Sequence, residues 1–327
     1  MSNTKYSTLV IGGAGYIGSH VVLQLCENGH DVSVFDNLST GNIINIDSRA
    51  KFIKGDILNL DDCKNLFNKK YDIVFHFAAL KAAHESMHFP EKYSEVNLKG
   101  TINILNQMIK NNIHNIIFSS SAAVYGNPQY LPIDENHILN PNNFYGYTKL
   151  AVENLLHWYS NLKNINYGVL RYFNAAGYDL KKRILGLEKK PANLLPIIME
   201  TAIGIRSTLQ VFGNDYNTKD GTGIRDYIHV LDLADAHIKT MHYILQRNEN
   251  IIVNLATGKG HSVFDLINTS KIITEKKIDY NVVNRRNGDV ESIFAISNFA
   301  YKKLNWNCNY SDIDTIISSM WELYKHA

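Results

Sequence analysis

The apolar run from Ser7 to Gly13 ends in glycine, and Gly12-Gly13-Ala14-Gly15-Tyr16-Ile17-Gly18 then opens an apolar stretch to about Asn28. Asp31 to Phe35 reads as a second strand and ends in Asp36. This order of strand, glycine turn, helix, strand and acid constrains the fold more than any other feature of the chain. The early glycines allow a tight turn and close approach of a pyrophosphate. The helix N-terminus offers unpaired N–H groups and a positive dipole end, and Gly18 lets helix and strand pack closely. Asp36 lies about 20 residues on, where a carboxylate binds both ribose hydroxyls and repels a 2′-phosphate, so NAD is favoured over NADP. Two spacings are met at once. Gly13, Gly15 and Gly18 fit G-x-G-x-x-G, and Gly12, Gly15 and Gly18 fit G-x-x-G-x-x-G.

The alternation continues, with strands at Lys51–Gly55, Asp72–Phe77 and Asn115–Ser119 and helices at Leu60–Asn68 and Glu91–Lys110. Repeated strand–helix units with apolar strands imply an α/β doubly wound parallel (Rossmann) sheet, with ligands beyond the carboxyl ends of the strands. Asp56 and Ile57 follow the third strand, where an acid can reach an adenine amino group. With 327 residues the length favours about two domains. The net charge of +2, from 33 basic and 31 acidic residues, gives no electrostatic case for nucleic acid or an anionic membrane. No apolar run is long enough to span a bilayer. The N-terminus runs straight into a strand without a secretory signal, and Cys26, Cys63 and Cys308 form no disulfide framework, so a cytoplasmic protein is expected.

Tyr145 and Lys149 are four residues apart at the start of a segment that reads as helix to Leu162, so they share a face. A nearby cation favours a phenolate and lowers a tyrosine pKa from its usual ~10, which makes tyrosine a candidate general base. Such a pair alone is also what a solvated helix face carries. His84-Glu85-Ser86-Met87-His88 spells the zinc-hydrolase pattern H-E-x-x-H. Pro90 follows almost at once and disfavours helix at Phe89, and no obvious third ligand follows, so two solvated loop or helix-start histidines are expected and no metal.

Phe118-Ser119-Ser120-Ser121-Ala122-Ala123-Val124-Tyr125-Gly126, Tyr145-Gly146-Tyr147-Thr148-Lys149 and the glycine turn together resemble the extended short-chain dehydrogenase/reductase family, whose triad is Ser/Thr, Tyr and Lys. Ala122-Ala123 stands where the related 4,6-dehydratases carry an acidic pair, which argues against dehydration. Leu170-Arg171-Tyr172-Phe173-Asn174, Pro191 to Pro196, Val211 to Tyr216, Asp220 to Val230 and Arg285 to Asp289 resemble the UDP-glucose (UDP-galactose) 4-epimerase branch, from about Thr8 to about Trp306.

The resemblance implies roles position by position. Ser121, Tyr145 and Lys149 would be catalytic. Gly12, Gly15, Tyr16, Ile17, Gly18, Asp36, Asn37, Ser39, Asp56, Ile57, Phe77, Ala78, Ala79, Lys81, Asn97, Lys149 and Phe173 would line a tightly bound NAD. Ser121, Tyr145, Asn174, Asn193, Leu194, Phe212, Arg225, Arg286, Asp289 and Ile293 would face the UDP-sugar. Pyrophosphate wants guanidinium, and Arg225 and Arg286 lie in little-charged, glycine-containing turns. Ala79 stands where many relatives have glycine. Ile293 stands where they carry tyrosine or a small residue that limits the group on sugar carbon 2.

The expected reaction is interconversion of UDP-glucose and UDP-galactose through a transient 4-keto sugar. The alternatives are a 4-epimerase of another UDP-sugar (N-acetylhexosamine, glucuronate or pentose) and a non-catalytic NAD-sensing or scaffold protein. Residues 1–177, with a returning segment 225–260, are expected to form the NAD-binding Rossmann domain, and 178–327 mainly a smaller α/β substrate domain. The returning segment would bring the strand Arg225–Val230, a helix and the strand Ile251–Leu255 to the large sheet. Ile184 to Lys190 reads as a surface loop. By the same resemblance the helices Glu91–Lys110 and Tyr145–Leu162 would form a homodimer interface.

Overall fold

The structure, a computed structural model, describes residues 4–189, 191–286 and 288–327. Lys190 of the expected loop and Asn287 of the Arg285–Asp289 motif lie outside these residues. The strands are β1 (Ser7–Ile11), β2 (Asp31–Asp36), β3 (Lys51–Lys54), β4 (Ile73–His76), β5 (Asn115–Ser121), β6 (Asn166–Tyr172), β7 (Asn174–Ala176), β8 (Leu209–Phe212), β9 (Ile224–His229), β10 (Ile251–Leu255), β11 (Gly260–Ser262), β12 (Tyr280–Val283) and β13 (Ser292–Ile293). Seven of them form one parallel sheet in the order β10-β6-β5-β4-β1-β2-β3. The order reverses between β1 and β4, which makes their carboxyl ends the crevice of a doubly wound fold.

Alternation along each strand sends side chains to two buried layers. Val10, Val34, Phe75, Ile117, Leu170 and Val253 pack against the helices Tyr16–Glu27 and Val230–Arg247. Leu9, Ile11, Phe35, Val74, Ile116 and Val169 pack against Leu60–Leu66, Gly100–Lys110 and Phe144–Lys163. Both faces are thus covered, as the near-continuous apolar strands require.

The expected long helix from Glu91 is three joined pieces. An α-turn Pro90–Tyr93 leads into a π-helical stretch, Ser94–Lys99, and then into the α-helix Gly100–Lys110. The π stretch carries Asn97, whose amide takes Leu80 N–H at 2.8 Å and donates to Leu80 O and Thr148 Oγ1.

One strand expected in the large sheet is elsewhere. β9 lies in a separate sheet with β7, β11 and β13. The chain leaves the large sheet after Phe173, and β7 pairs with β9 through Asn174↔Tyr227. The buried Asp226 carboxylate takes the N–H groups of Thr257 and Gly258 at 3.0 and 3.1 Å, which fixes β9 beside the segment leading to β11. The helix Val230–Arg247 and β10 do return to the large sheet. A second cluster, including Leu195, Ile198, Leu209, Leu266, Ile317 and Met320, forms the core of the smaller C-terminal part.

Candidate active site

The glycine turn sits at the carboxyl end of β1. Gly12 has φ +80°, and a Cβ there would lie 2.6 Å from the Ala78 nitrogen. A Cβ on Gly18 would run into the Gly12 carbonyl. Only glycine fits either position, and the turn is held open as a cradle. Gly15 is the N-cap of Tyr16–Glu27 with no side-chain cap, so the first N–H groups of that helix stay available to an anion. Asp36 closes the cradle by accepting Ala14 N–H at 3.0 Å and Leu38 N–H at 2.8 Å. Burial raises its pKa, and those two bonds oppose the rise. No lysine or arginine pairs with Asp36 among the described residues, so nothing there answers a 2′-phosphate. These features fit NAD.

The other expected cofactor residues are more mixed. Asn37 donates to Asp56 at 2.9 Å and takes Ser39 N–H, both on exposed turns beside Asp36. Ile57 is buried against Gly100. Phe77, Ala78 and Ala79 are half-buried at the end of β4. Ile17 packs on the core, and Phe173 is buried with Ala122, Tyr125 and Ile293. Tyr16 turns its hydroxyl away, to the Gly177 carbonyl, and packs on His20 and Tyr178. Lys81 pairs with Glu188. Asn97 holds the segment after β4 through its bonds to Leu80 and Thr148.

Tyr145 is the second residue of the helix Phe144–Lys163, and Asn143 caps that helix through Gly146 N–H at 2.9 Å. Ser86 Oγ takes Tyr145 N–H at 2.9 Å. A Cβ on Gly146 would strike the Ala123 carbonyl, so glycine lets the helix start against the turn after β5. That approach sets the Tyr145 hydroxyl beside Ser121. Lys149 Nζ lies 5.8 Å from the Tyr145 ring centroid and 4.8 Å from that of Phe118, and donates to the Ser119 carbonyl at 2.7 Å. Ser121, Tyr145 and Lys149 therefore meet at the carboxyl end of β5.

The electrostatics correct one expectation. Burial raises the Tyr145 pKa, and the nearby Ser121 offsets only part of the rise. Burial also pushes Lys149 down to about 7, against the pull of Glu153. Burial governs both groups in the chain alone, so the phenol stands above its usual value there despite the four-residue spacing to Lys149. Ala122 is buried among Val124, Tyr125 and Phe173, and Ala122-Ala123 brings no carboxylate to the site.

A cavity of about 590 Å³ lies on the side of the smaller part. Asn174, Asn193, Leu194, Phe212, Arg225, Arg286 and Asp289 line it, all seven expected from the sequence. Asn193 precedes Leu194–Ala202 without capping it, which leaves its amide free for a ligand. Arg286 pairs with Asp289 at 2.9 Å and lies 4.4 Å from the Phe212 ring centroid. Arg225 makes no ion pair among the described residues, and burial lowers its pKa against the pull of Asp289. A guanidinium in this state is an anion site. Ile293 is not a lining residue; it is buried beside Phe173 and Ala122 and pairs with Arg225 in register.

The sequence reading missed Arg206, Gln210, Tyr216 and Tyr227, which also line the cavity. Gln210 was accessible in principle, because alternation along β8 puts it on the Phe212 face. Tyr216 lies under Arg285, 4.0 Å from its ring centroid. Among the described residues no group of three or more His, Cys, Asp or Glu is placed to hold a metal. Glu85 of the H-E-x-x-H pattern is tied to Lys92 at 2.7 Å and to Tyr93.

Residues 8–256 match the NAD dependent epimerase/dehydratase family. The chain belongs to that family. Among its relatives, a UDP-glucose 4-epimerase of Lacticaseibacillus casei is 41% identical, covering 97% of this chain and 96% of its own. The crystal structure of UDP-glucose 4-epimerase from Brucella ovis in complex with NAD is 38% identical, with a TM-score of 0.94 over 98% of both chains. The UDP-Glc/GlcNAc 4-epimerase from Campylobacter jejuni is 35% identical, with a TM-score of 0.85 over 98% of this chain and all of that one. The two solved structures share this chain's fold over nearly its whole length.

Proposed function

We propose that this chain interconverts UDP-glucose and UDP-galactose by inverting sugar carbon 4. The observation that carries the reading is the meeting of Ser121, Tyr145 and Lys149 at the carboxyl end of β5, in a fold that also carries a glycine cradle and an arginine-lined cavity. Gly12, Gly15 and Gly18 with Asp36 hold NAD, which when bound supplies reversible hydride exchange at carbon 4 and a positive charge that favours a phenolate.

Tyr145 takes the proton of the sugar 4-hydroxyl and later returns it. The positive end of its own helix favours the phenolate form. Ser121 bonds the reacting oxygen and fixes its position, and the Lys149 ammonium stabilises the negative charge. Arg225 and Arg286 take the pyrophosphate, so the sugar can turn about a fixed anchor and present either face. Arg225→Leu is expected to raise KM for UDP-galactose by about 10- to 100-fold with a smaller loss in kcat, since a charge-assisted bond to a ground-state anion is worth roughly 1.5–3 kcal/mol. Steady-state kinetics check this.

A second reading, acceptance of N-acetylhexosamines, rests on the Campylobacter jejuni relative, a UDP-Glc/GlcNAc 4-epimerase. Purified protein without added NAD is incubated with UDP-galactose and, separately, UDP-N-acetylgalactosamine, and the 4-epimers are followed by chromatography. Conversion of the first establishes an epimerase with retained cofactor, and the ratio of rates reports how far the site accepts a 2-acetamido group. No conversion of either, with NAD supplied, would overturn the proposal.

A homodimer fits the apolar face that Leu98, Ile102, Tyr147, Leu150, Leu155 and Trp158 line between the two long helical segments. Tyr147 and Trp158 are 51% and 61% exposed there. Among the described residues no helix is long and apolar enough to cross a membrane. A reducing cytoplasm fits the three free cysteines. We read residues 1–177 with the return through the helix Val230–Arg247 and β10 as the NAD-binding unit, and the rest as the substrate unit.

A further inference from the structure

Three consecutive serines of β5 meet three residues of one helix face. Ser121 stands beside the Tyr145 hydroxyl, the Ser119 carbonyl accepts Lys149 Nζ, and Ser120 Oγ donates to Glu153 Oε1. Tyr145, Lys149 and Glu153 are spaced by four and so stand in line. Glu153 is only 5% exposed. Its partner Arg171 of β6 is 3% exposed and reaches it with Nη2 at 2.5 Å from Oε2 and Nε at 3.0 Å from Oε1. Arg171 Nη1 also donates to the Tyr125 hydroxyl, which donates to Asn254 of β10 at 2.6 Å. A buried ion pair is a weak device for stability, because desolvation cancels much of the attraction. Its place one turn beyond Lys149 gives it another use.

We propose that Glu153, held by Arg171, is a positioning residue for the reaction. Its carboxylate locks the Ser119–Ser121 strand end onto the helix face of Tyr145 and Lys149, and supplies the negative charge that keeps the buried Lys149 an ammonium. The inference rests on the epimerase reading above. The other ionisable groups around this cluster are His76 of β4, Tyr167 and Tyr172 of β6, Tyr125 after β5, Tyr93 of the preceding helical segment, and Glu135, whose carboxylate accepts Asn254 N–H at 2.8 Å. Burial, with Lys149 nearby, holds His76 at about 3, so it is neutral. Burial also raises the Tyr93, Tyr125 and Tyr172 phenols, which stay uncharged at neutral pH. Burial also raises the Glu135 carboxyl, and the cation near it is Arg171 and not Lys149, so Glu153, held by Arg171, is the carboxylate that acts on Lys149.

Removing the carboxylate favours the deprotonated forms of both Lys149 and Tyr145. Glu153→Gln is therefore expected to move the whole profile of kcat/KM against pH to lower pH by about one unit. Arg171→Met is expected to move it the other way. Glu153→Asp keeps the charge but not the reach, so kcat falls about tenfold with KM and the pH profile unchanged. A merely structural pair would lower rates in all three without displacing the profile. The assay is UDP-galactose turnover by the holoenzyme from pH 5.5 to 9.5. Superimposable profiles for wild type, Glu153→Gln and Arg171→Met overturn the inference. Should those two not fold, full kcat in Glu153→Asp overturns it. A wild type that does not turn over UDP-galactose would instead sink the functional reading.

Discussion

Tyr145→Phe is expected to lower turnover by at least ~10²–10⁴-fold, the usual contribution of a general acid–base group. The ring keeps its place, because the backbone of this turn is fixed by Asn143 and Ser86 rather than by the hydroxyl. Folding should thus be unchanged, and KM should change little, since the cavity residues that anchor the nucleotide are elsewhere. The loss falls on kcat because the missing group acts on the reacting proton. Steady-state kinetics with a thermal melt separate the two effects, and near-normal turnover would remove Tyr145 from the role of base.

The second large effect is on stability in acid. His20, His76, His229 and His237 are 0–1% exposed, and burial holds them at about 4, 3, 3 and 4. Each folded-state value lies below the ordinary 6.5, so between the two the unfolded chain binds more protons than the native one. Stability is therefore complete above about pH 6.5 and falls as the pH drops toward 3–4. At pH 5 each histidine has lost about 2 kcal/mol, or about 8 kcal/mol for four acting independently. Asp226, raised to about 6 by burial, works in the opposite sense and returns about 1.4 kcal/mol at the same pH. A net loss of several kcal/mol is a large part of the 5–15 kcal/mol typical of a folded protein. Urea midpoints at pH 7.5 and pH 5.0 check it; equal midpoints would contradict the buried neutral histidines.

The glycine turn and the apolar strands made the sheet legible, because Gly12 and Gly18 stand where a Cβ has no room. The seven cavity residues were legible for another reason, the resemblance of their motifs. The site of β9 was not legible. Its apolar pattern suits a buried strand in either sheet, and the partner is set by Asp226, whose bonds to Thr257 and Gly258 span about thirty residues. Asn97 was assigned to the cofactor, but a π-helical stretch aims it at Leu80, and no local periodicity announces that. The Tyr145–Lys149 spacing gave the geometry and the wrong sign for the phenol, since spacing carries no information on desolvation.

The central claim is inversion by oxidation and reduction at carbon 4. UDP-galactose carrying deuterium at carbon 4 tests it most directly, with the UDP-glucose product examined by NMR or mass spectrometry. The account predicts that the deuterium is retained at carbon 4 of the product, transferred away and returned without exchange. Its replacement by solvent hydrogen would contradict the account and point to proton abstraction from carbon.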